Sequence, residues 1–541
     1  MVLKKMAVVM ASAGLLAAGL AACGSSPTTT STQSSAPFVE ALSQNPDNLT
    51  PAMGTLAVDN MPLELMNASL AYLNLHDKWT GEIATSWSES SNGLTYTFNL
   101  NPKATWSDGK PLTSADVVYT WHYMTNPKIQ ITYNTGWNYV KNVVAEGPHK
   151  VVFTLTQPYA PFMATVGSSY IVPKHIFDKW TPSQINHGIY TKSTPVVAGP
   201  YVLKSWQQDQ SLTFVPNPHW FGSPVHIQKM ILQIVPNTDT QFNMLSTGKL
   251  SLGTIPSSDV TQASSLSSKY TIEKTLQATY NLIQLDENHF LKDVKVRQAL
   301  DYATPKQQIV TDIMHGLAIV AHGDQVPGGY FYDPNVPHRT FSLTKAAAIL
   351  KADGFTKGAG GWLYKNGQEL TVPIWTGSTS HSEMDIAQVV SQDWEKIGVY
   401  APVHTAGWSI VFGNGTPQNP GPQVNGKDEA LIFSWGQGVF PDDTIDFNSK
   451  YVPKSPFQPS PQENGERYVN AQMDQLQAQG VTLSSRPARR KVYDQIQKLE
   501  QKTLPVIFLF WYKNETAVSK NLHGYQQTVF GTTPVWDWSM Q

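Results

Sequence analysis

The run Leu504–Tyr512, LPVIFLFWY, is unbroken apolar and aromatic sequence bounded by Thr503 and Lys513. Side chains on a strand alternate between the two faces of a sheet, so a run without a polar position is a strand buried on both faces. Such a strand needs cover on either side, which points to layers of helix on sheet.

The rest of the chain supplies both kinds of element. Leu94, Tyr96, Phe98 and Leu100 alternate with Thr95, Thr97 and Asn99, the period of a half-buried antiparallel strand. The same period recurs at Val151, Phe153 and Leu155, and at Leu212 and Phe214. Between the first two, Thr113 to Asp116 reads as a capping box opening a helix with Val117, Trp121 and Met124 on one face until Pro127 ends it. Val296, Ala299, Leu300 and Ala303 mark another helix. Thr304 as N-cap, Pro305 as first helical residue and Gln307 predict a restart, with Ile309, Ile313 and Met314 inward and Gly316 at the C-terminus. Further helices are expected over about 344–353, closed by Gly354, and on Val469, Met473, Leu476 and Val492, Ile496, Leu499. The elements recur without a fixed period, which argues against solenoids and propellers. The fold class is α/β.

The charge balance removes another group of functions. Among 541 residues, 38 Lys and Arg face 40 Asp and Glu, a net charge of −2, so no polyanion-binding face is implied. The densest basic run, Arg486, Arg489, Arg490 and Lys491, reads as a solvated helix face. Charged residues total 14%, against an average of about 25%, so the surface is polar but weakly charged. No CxxC, HExxH, GxxxxGK[ST] or GxSxG pattern occurs, and His315 and His322 are not expected to share a metal. The glycines at 358–361 and 436–438 read as turns.

Lys4 and Lys5 precede an uncharged apolar run, Met6–Ala22, that ends in Leu20-Ala21-Ala22-Cys23. This is the layout of an export signal. As a helix the run spans roughly 25 Å, short of a bilayer core of ~30 Å. The last four residues resemble a bacterial lipoprotein box, which implies that Cys23, the single cysteine, becomes a lipidated N-terminus. Residues 24–37, GSSPTTTSTQSSAP, have no apolar periodicity and are expected to form a flexible tether.

Six blocks, in order, resemble the extracytoplasmic solute-binding proteins of peptide- and nickel-type ABC importers, solute-binding family 5. They are LTYTFNLNPKATWSDGKPLTSADVVYTWHYMTNP (94–127), PVVAGPYVLKSWQQDQSLTFVPNPHWFG (195–222), DVKVRQALDYATPKQQIV (293–310), KAAAILKADGF (345–355), WEKIGV (394–399) and RRKVYDQIQKLEQKTLPVIFLFW (489–511). The resemblance implies a two-lobed, periplasmic-binding-protein-like fold with a hinge and an additional inserted domain. After the signal peptide, 1–23, and the tether, lobe I would comprise 38–78, 170–284 and 506–541, the inserted domain 79–169, and lobe II 285–505.

Peptide-binding relatives place an aspartate three residues after a tryptophan, in a W-x-A-D-Y pattern, where it pairs with the peptide ammonium. Here the stretch is Trp435-Gly436-Gln437-Gly438-Val439-Phe440, with Gly438 at the acidic position. Recognition of a free N-terminal amine is therefore expected to be weakened or absent, unless Asp442 or Asp443 substitutes. The resemblance places the ligand against Trp435, Gly436, Gln437, Gly438, Phe440 and Trp408, with Trp511 a further aromatic for which core packing is the alternative. It implies a binding protein and not an enzyme, with no cofactor, no metal and no nucleic acid. The expected protein is a lipid-anchored, extracytoplasmic monomer that captures a peptide or similar small solute between closing lobes and passes it to ABC permease subunits. The alternatives are an oligosaccharide, an opine-like compound or a nickel chelate as ligand, or a tethered hydrolase.

Overall fold

The doubly buried run forms the first part of the strand Val506–Ser519, whose residues Val506–Trp511 are all buried. Leu504 is not part of it: it ends the preceding helix, Arg486–Thr503, in a left-handed conformation at φ 50°. The computed structural model describes residues 36–541, apart from 55, 193–194, 379, 412–428, 437–439, 441–443, 453–463 and 530. Cys23, the export signal and nearly all of the tether therefore lie outside the described residues.

Val506–Ser519 pairs antiparallel along its length with Tyr270–Leu285, and these two long strands run through the middle of an eleven-stranded sheet. Toward one edge lie Ala430–Gly436, Ile374–Gly377 and Val403–Ala406. Toward the other lie Leu252–Thr254, Phe38–Leu42, Met230–Ile234, Ser211–Pro216 and Tyr201–Gln207. The register of the central pair shifts between Leu276 and Tyr280, which divides it into two halves. Separate hydrophobic cores flank these halves. One gathers Phe38, Leu212, Phe214 and Met230, and another Ile283, Leu300, Ile374, Trp394 and Ile507. The result is two lobes joined by continuous strands.

The alternating segments fold as expected. Thr95–Leu100 and Lys150–Leu155 pair in a four-stranded antiparallel sheet with Ala84–Glu89 and Val140–Ala145. Thr113 and Asp116 form the capping box of helix Ser114–Thr125. The helix Leu343–Ala352 is capped by Ser342, and Gly354 follows it at φ 91°.

Three local expectations are corrected. Thr304 does not cap a helix, because its hydroxyl donates back to the Leu300 carbonyl at 2.8 Å. Pro305 is the cap instead, and the helix Lys306–Gln308 widens at once into a π-type turn, Ile309–Ile313. Val469 lies before the N-cap Asn470 and is 69% exposed, while Met473 and Leu476 of Ala471–Thr482 are buried. The basic run is not a uniformly solvated face. Arg489 is only 9% exposed and donates to the carbonyls of Leu483 and Ser484, and Arg490 donates to the Tyr332 carbonyl at 2.6 Å.

Candidate functional site

Between the lobes the described residues enclose a cavity of about 520 Å³. The size is within the range of small-ligand sites, roughly 300–1,000 Å³. One wall comes from the loop and helix around Ala52–Leu63 and from the segment Tyr133–Tyr170; Phe440 closes the cavity from the second lobe.

Much of the first wall is knitted by bonds short in sequence, with longer ties from Trp137 to Ser169 and from Tyr133 to Ala52. The Asp59 carboxylate accepts the backbone N–H of Asp47 at 3.0 Å and of Leu56 at 2.9 Å, tying the loop to the start of helix Asn60–Met66. Gly54 is needed there, since a Cβ would lie 2.6 Å from the Asp59 Oδ2. Burial pushes the Asp59 carboxyl up to about 6. On the facing segment, Thr165, Ser168 and Ser169 donate to the carbonyls of Pro161, Ala164 and Thr165. These bonds reach four residues back along a π-type turn, Met163–Gly167, and turn small side chains toward their own backbone. Tyr133 is 61% exposed, and Tyr159 is buried beside it in the same lining.

The second wall rests on strands that meet from distant parts of the chain. Ile374–Gly377 runs parallel to Val403–Ala406 and to Ala430–Gly436, so their carboxyl ends lie on one side of the sheet, where open α/β sheets bind ligands. Trp408 follows one of these strands and Trp435 ends another. Trp408 packs flat on Gly377, whose Cβ would meet the indole at 2.4 Å. On the opposite face of the same sheet, the Asn281 amide donates to Glu383 at 3.3 Å and to Ser434 at 3.1 Å, Ser434 donates to Glu383 at 3.1 Å, and the Tyr512 hydroxyl lies 2.9 Å from Ser434. Burial raises the Glu383 carboxyl above its ordinary range, against hydrogen bonds from Ser434 and Ser380.

Trp408, Trp435 and Phe440 thus share one face of the second-lobe core, half-buried, while Gly436 is exposed at a strand end. Of the expected ligand residues that are described, Phe440 alone lines the cavity; its ring lies 5.1 Å from the Arg489 guanidinium. Gln437, Gly438, Asp442 and Asp443 lie outside the described residues. Trp511 packs in the core, 1% exposed, with its ring 5.0 Å from that of Tyr280. The sequence reading missed the first wall altogether. Its only signals were the run of small residues at 164–169 and a tyrosine two positions before the loop at Thr135-Gly136.

The lobes touch beside the cavity. The Ala160 N–H donates to the Val481 carbonyl at 2.7 Å, and Arg486 pairs with Asp77. A two-lobed body on two crossing strands, enclosing a ligand-sized cavity between its halves, defines a solute-binding receptor. The family model described as bacterial extracellular solute-binding proteins, family 5 Middle, matches residues 78–454, more than half of the chain. This chain belongs to that family. It is 26% identical over 478 residues to the oligopeptide-binding protein AppA of Bacillus subtilis (strain 168), covering 87% of this chain and 86% of the relative. The structure of that oligopeptide-binding protein in complex with a nonapeptide superposes with a TM-score of 0.78 at 24% identity, covering 94% of this chain and 99% of the other. NikZ from Campylobacter jejuni in complex with Ni(L-His) superposes with a TM-score of 0.79 at 23% identity, covering 93% and 99%. No helix of the described residues is long and apolar enough to cross a membrane.

Proposed function

We propose that this protein is the receptor of an ABC importer that captures a peptide in the 520 Å³ cavity and delivers it to membrane permease subunits. The observation that carries the reading is the cavity itself, lined from both lobes. A ligand there touches both walls only when they are close, so binding favours the closed form. Moving such an equilibrium from 1:99 to 99:1 takes about 5.5 kcal/mol of differential affinity. A peptide held by its backbone supplies contacts on both sides with little dependence on its side chains.

In this reading Trp435 and Trp408, at the carboxyl ends of the parallel strands, join Phe440 on the ligand when the solute is long enough to reach them. Gly438 in the acidic position leaves a free N-terminal ammonium without its usual partner. Lobe I comprises 38–78, 170–284 and 506–541, the inserted domain 79–169, and lobe II 285–505. Lipid on Cys23 and the tether hold a monomer at the outer face of the membrane, and the protein turns over no substrate. The lipid attachment is checked by mass spectrometry of the purified chain, where diacylation at residue 23 is expected and an unmodified thiol contradicts it.

A thermal-shift screen tests the ligand class. Ligand at 100 times its dissociation constant adds ~2.7 kcal/mol, a shift of a few degrees at this size. A shift with peptide pools is expected. A shift only with oligosaccharides or nickel chelates would replace the peptide by that class.

A further inference from the structure

Beside the cavity the second lobe reaches the first through the tip where helix Ala471–Thr482 turns into helix Arg486–Thr503. The body of this helix pair packs in its own core, through Met473, Leu476, Val492 and Ile496. Val481, at the tip, is 6% exposed and buried instead in the other core, with Tyr96, Phe98 and Tyr159. No other apolar residue described between 285 and 505 belongs to that core. The Val481 carbonyl accepts the Ala160 N–H at 2.7 Å. Arg486, at the start of the second helix, pairs with Asp77 and holds its guanidinium 4.0 Å from the centroid of the Tyr330 ring. The tip is braced from its own side. A Cβ on Gly480 would lie 2.9 Å from the Tyr493 Oη, so glycine lets the two helices close there. Arg489 donates to the carbonyls of Leu483 and Ser484 in the connecting turn, at 3.0 and 3.2 Å.

A braced tip has little freedom left to lose on docking, so most of what its contacts contribute is kept. Burial of the Val481 side chain is the largest contribution, the backbone hydrogen bond adds to it, and the exposed ion pair adds least. Val481, Ala160, Arg486 and Asp77 all lie outside the cavity lining. Their contacts therefore favour closure whatever the cavity holds. We propose that the Val481 tip is a latch that sets the resting balance between open and closed lobes. A larger closed fraction raises the apparent affinity for any solute that needs both walls. The proposal rests on the receptor reading only in requiring that the lobes separate.

The test is amide hydrogen exchange on the full chain, read at single residues by mass spectrometry with electron-transfer fragmentation. The Ala160 N–H reports the latch, because its partner is the Val481 carbonyl. Two amides report the fold on either side: Leu155, which donates to the Leu94 carbonyl at 2.8 Å, and Ala321, which donates to Leu509 at 3.1 Å. Val481→Asn puts an amide into the apolar core only when the lobes close, and is expected to speed exchange at Ala160 by about tenfold or more. Arg486→Asp, which faces Asp77 with like charge, is expected to speed it by about threefold. Leu155 and Ala321 are expected to keep their rates in both variants. Ala160 exchanging as fast in the wild type as in the variants overturns the latch. Acceleration at all three amides in Val481→Asn means that this side chain holds the fold; the exposed Arg486→Asp then decides, and no selective rise at Ala160 overturns the proposal. A pool of apolar pentapeptide amides is expected to slow Ala160 further in the wild type. A response to the variants without a response to the pool overturns the peptide reading and keeps the latch.

Discussion

The two walls of the cavity are built by opposite means. On the first lobe many of the bonds that shape the wall join residues 3, 4 or 12 positions apart, with a few longer ties from Trp137 to Ser169 and from Thr132 to Met53. Behind the second, on the other face of its sheet, Asn281, Glu383, Ser434 and Tyr512 meet across separations of 51 to 231 residues. A wall made of local bonds is disturbed locally when one is removed. A wall made by convergence of strands carries the stability of its lobe, so binding and folding are entangled there.

The largest effect expected from this contrast is at Trp511. Its ring is buried on the crossing strand, and Trp511→Ala should cost ~3–5 kcal/mol in chemical denaturation. Trp435→Ala, two strands away across Tyr270–Leu285 and half-buried, should keep most of the stability and lose ligand affinity. A folded Trp435→Ala protein with unchanged affinity would remove that residue from the site. Next in size is Asn281→Leu, which strips a buried donor from Glu383 and Ser434 and is expected to cost ~1–3 kcal/mol in the same measurement. A cost near zero would show that the second wall is not held by this network.

Buried carboxyls are raised on both sides of the molecule, Glu383, Glu287 and Asp324 in the second lobe among them. Burial raises Asp59 to about 6, and Glu40 and Glu82 to about 7. Their unfolded values are 3.8 for Asp59 and 4.5 for the glutamates, so the folded state binds more protons than the unfolded state between those values and 6 to 7. The stability these groups contribute is fully present below about pH 4 and is lost as pH rises through 6 and 7. Asp353 works in the other direction: burial alone would raise it, but Lys365 and Lys295 hold it below its ordinary range, so its contribution disappears only as pH falls below about 4. Calorimetry should therefore show a higher melting temperature at about pH 5 than at about pH 8, and Asp59→Asn should flatten the part of the profile near pH 6. A melting temperature that rises steadily from about pH 5 to 8 would contradict this. The smallest effect is expected at the exposed Arg486–Asp77 pair between the lobes, where Arg486→Ala should cost less than about 1 kcal/mol and weaken further with salt.

The same contrast explains what was legible in the sequence. Periodicity reports which face of an element is buried, so Tyr96, Phe98, Phe153 and the run from Val506 to Trp511 placed the strands and the doubly covered centre of the sheet correctly. Their pairing is not local, and nothing in Asn281 or Glu383 by itself shows that they meet. The family resemblance pointed to Trp408, Trp435 and Phe440, because those positions follow strands whose order is shared. It did not point to Asp59, which ties a loop by accepting from Asp47 and Leu56, or to Thr165 and Ser169, whose roles depend on a turn that widens to π geometry. Arg489 was misjudged for a related reason: a helix face crowded with charge looks solvated until the loops around Leu483 and Tyr332 fold over it.

Ala164 lies in the cavity lining, and Ala164→Trp fills space that a ligand would occupy. Isothermal titration of a pool of apolar pentapeptide amides against the wild-type chain and this variant tests whether the cavity holds the ligand. Binding to the wild type and a loss of about tenfold or more in the variant is the expected result. Equal affinity in both proteins, with the variant folded, would place the ligand elsewhere.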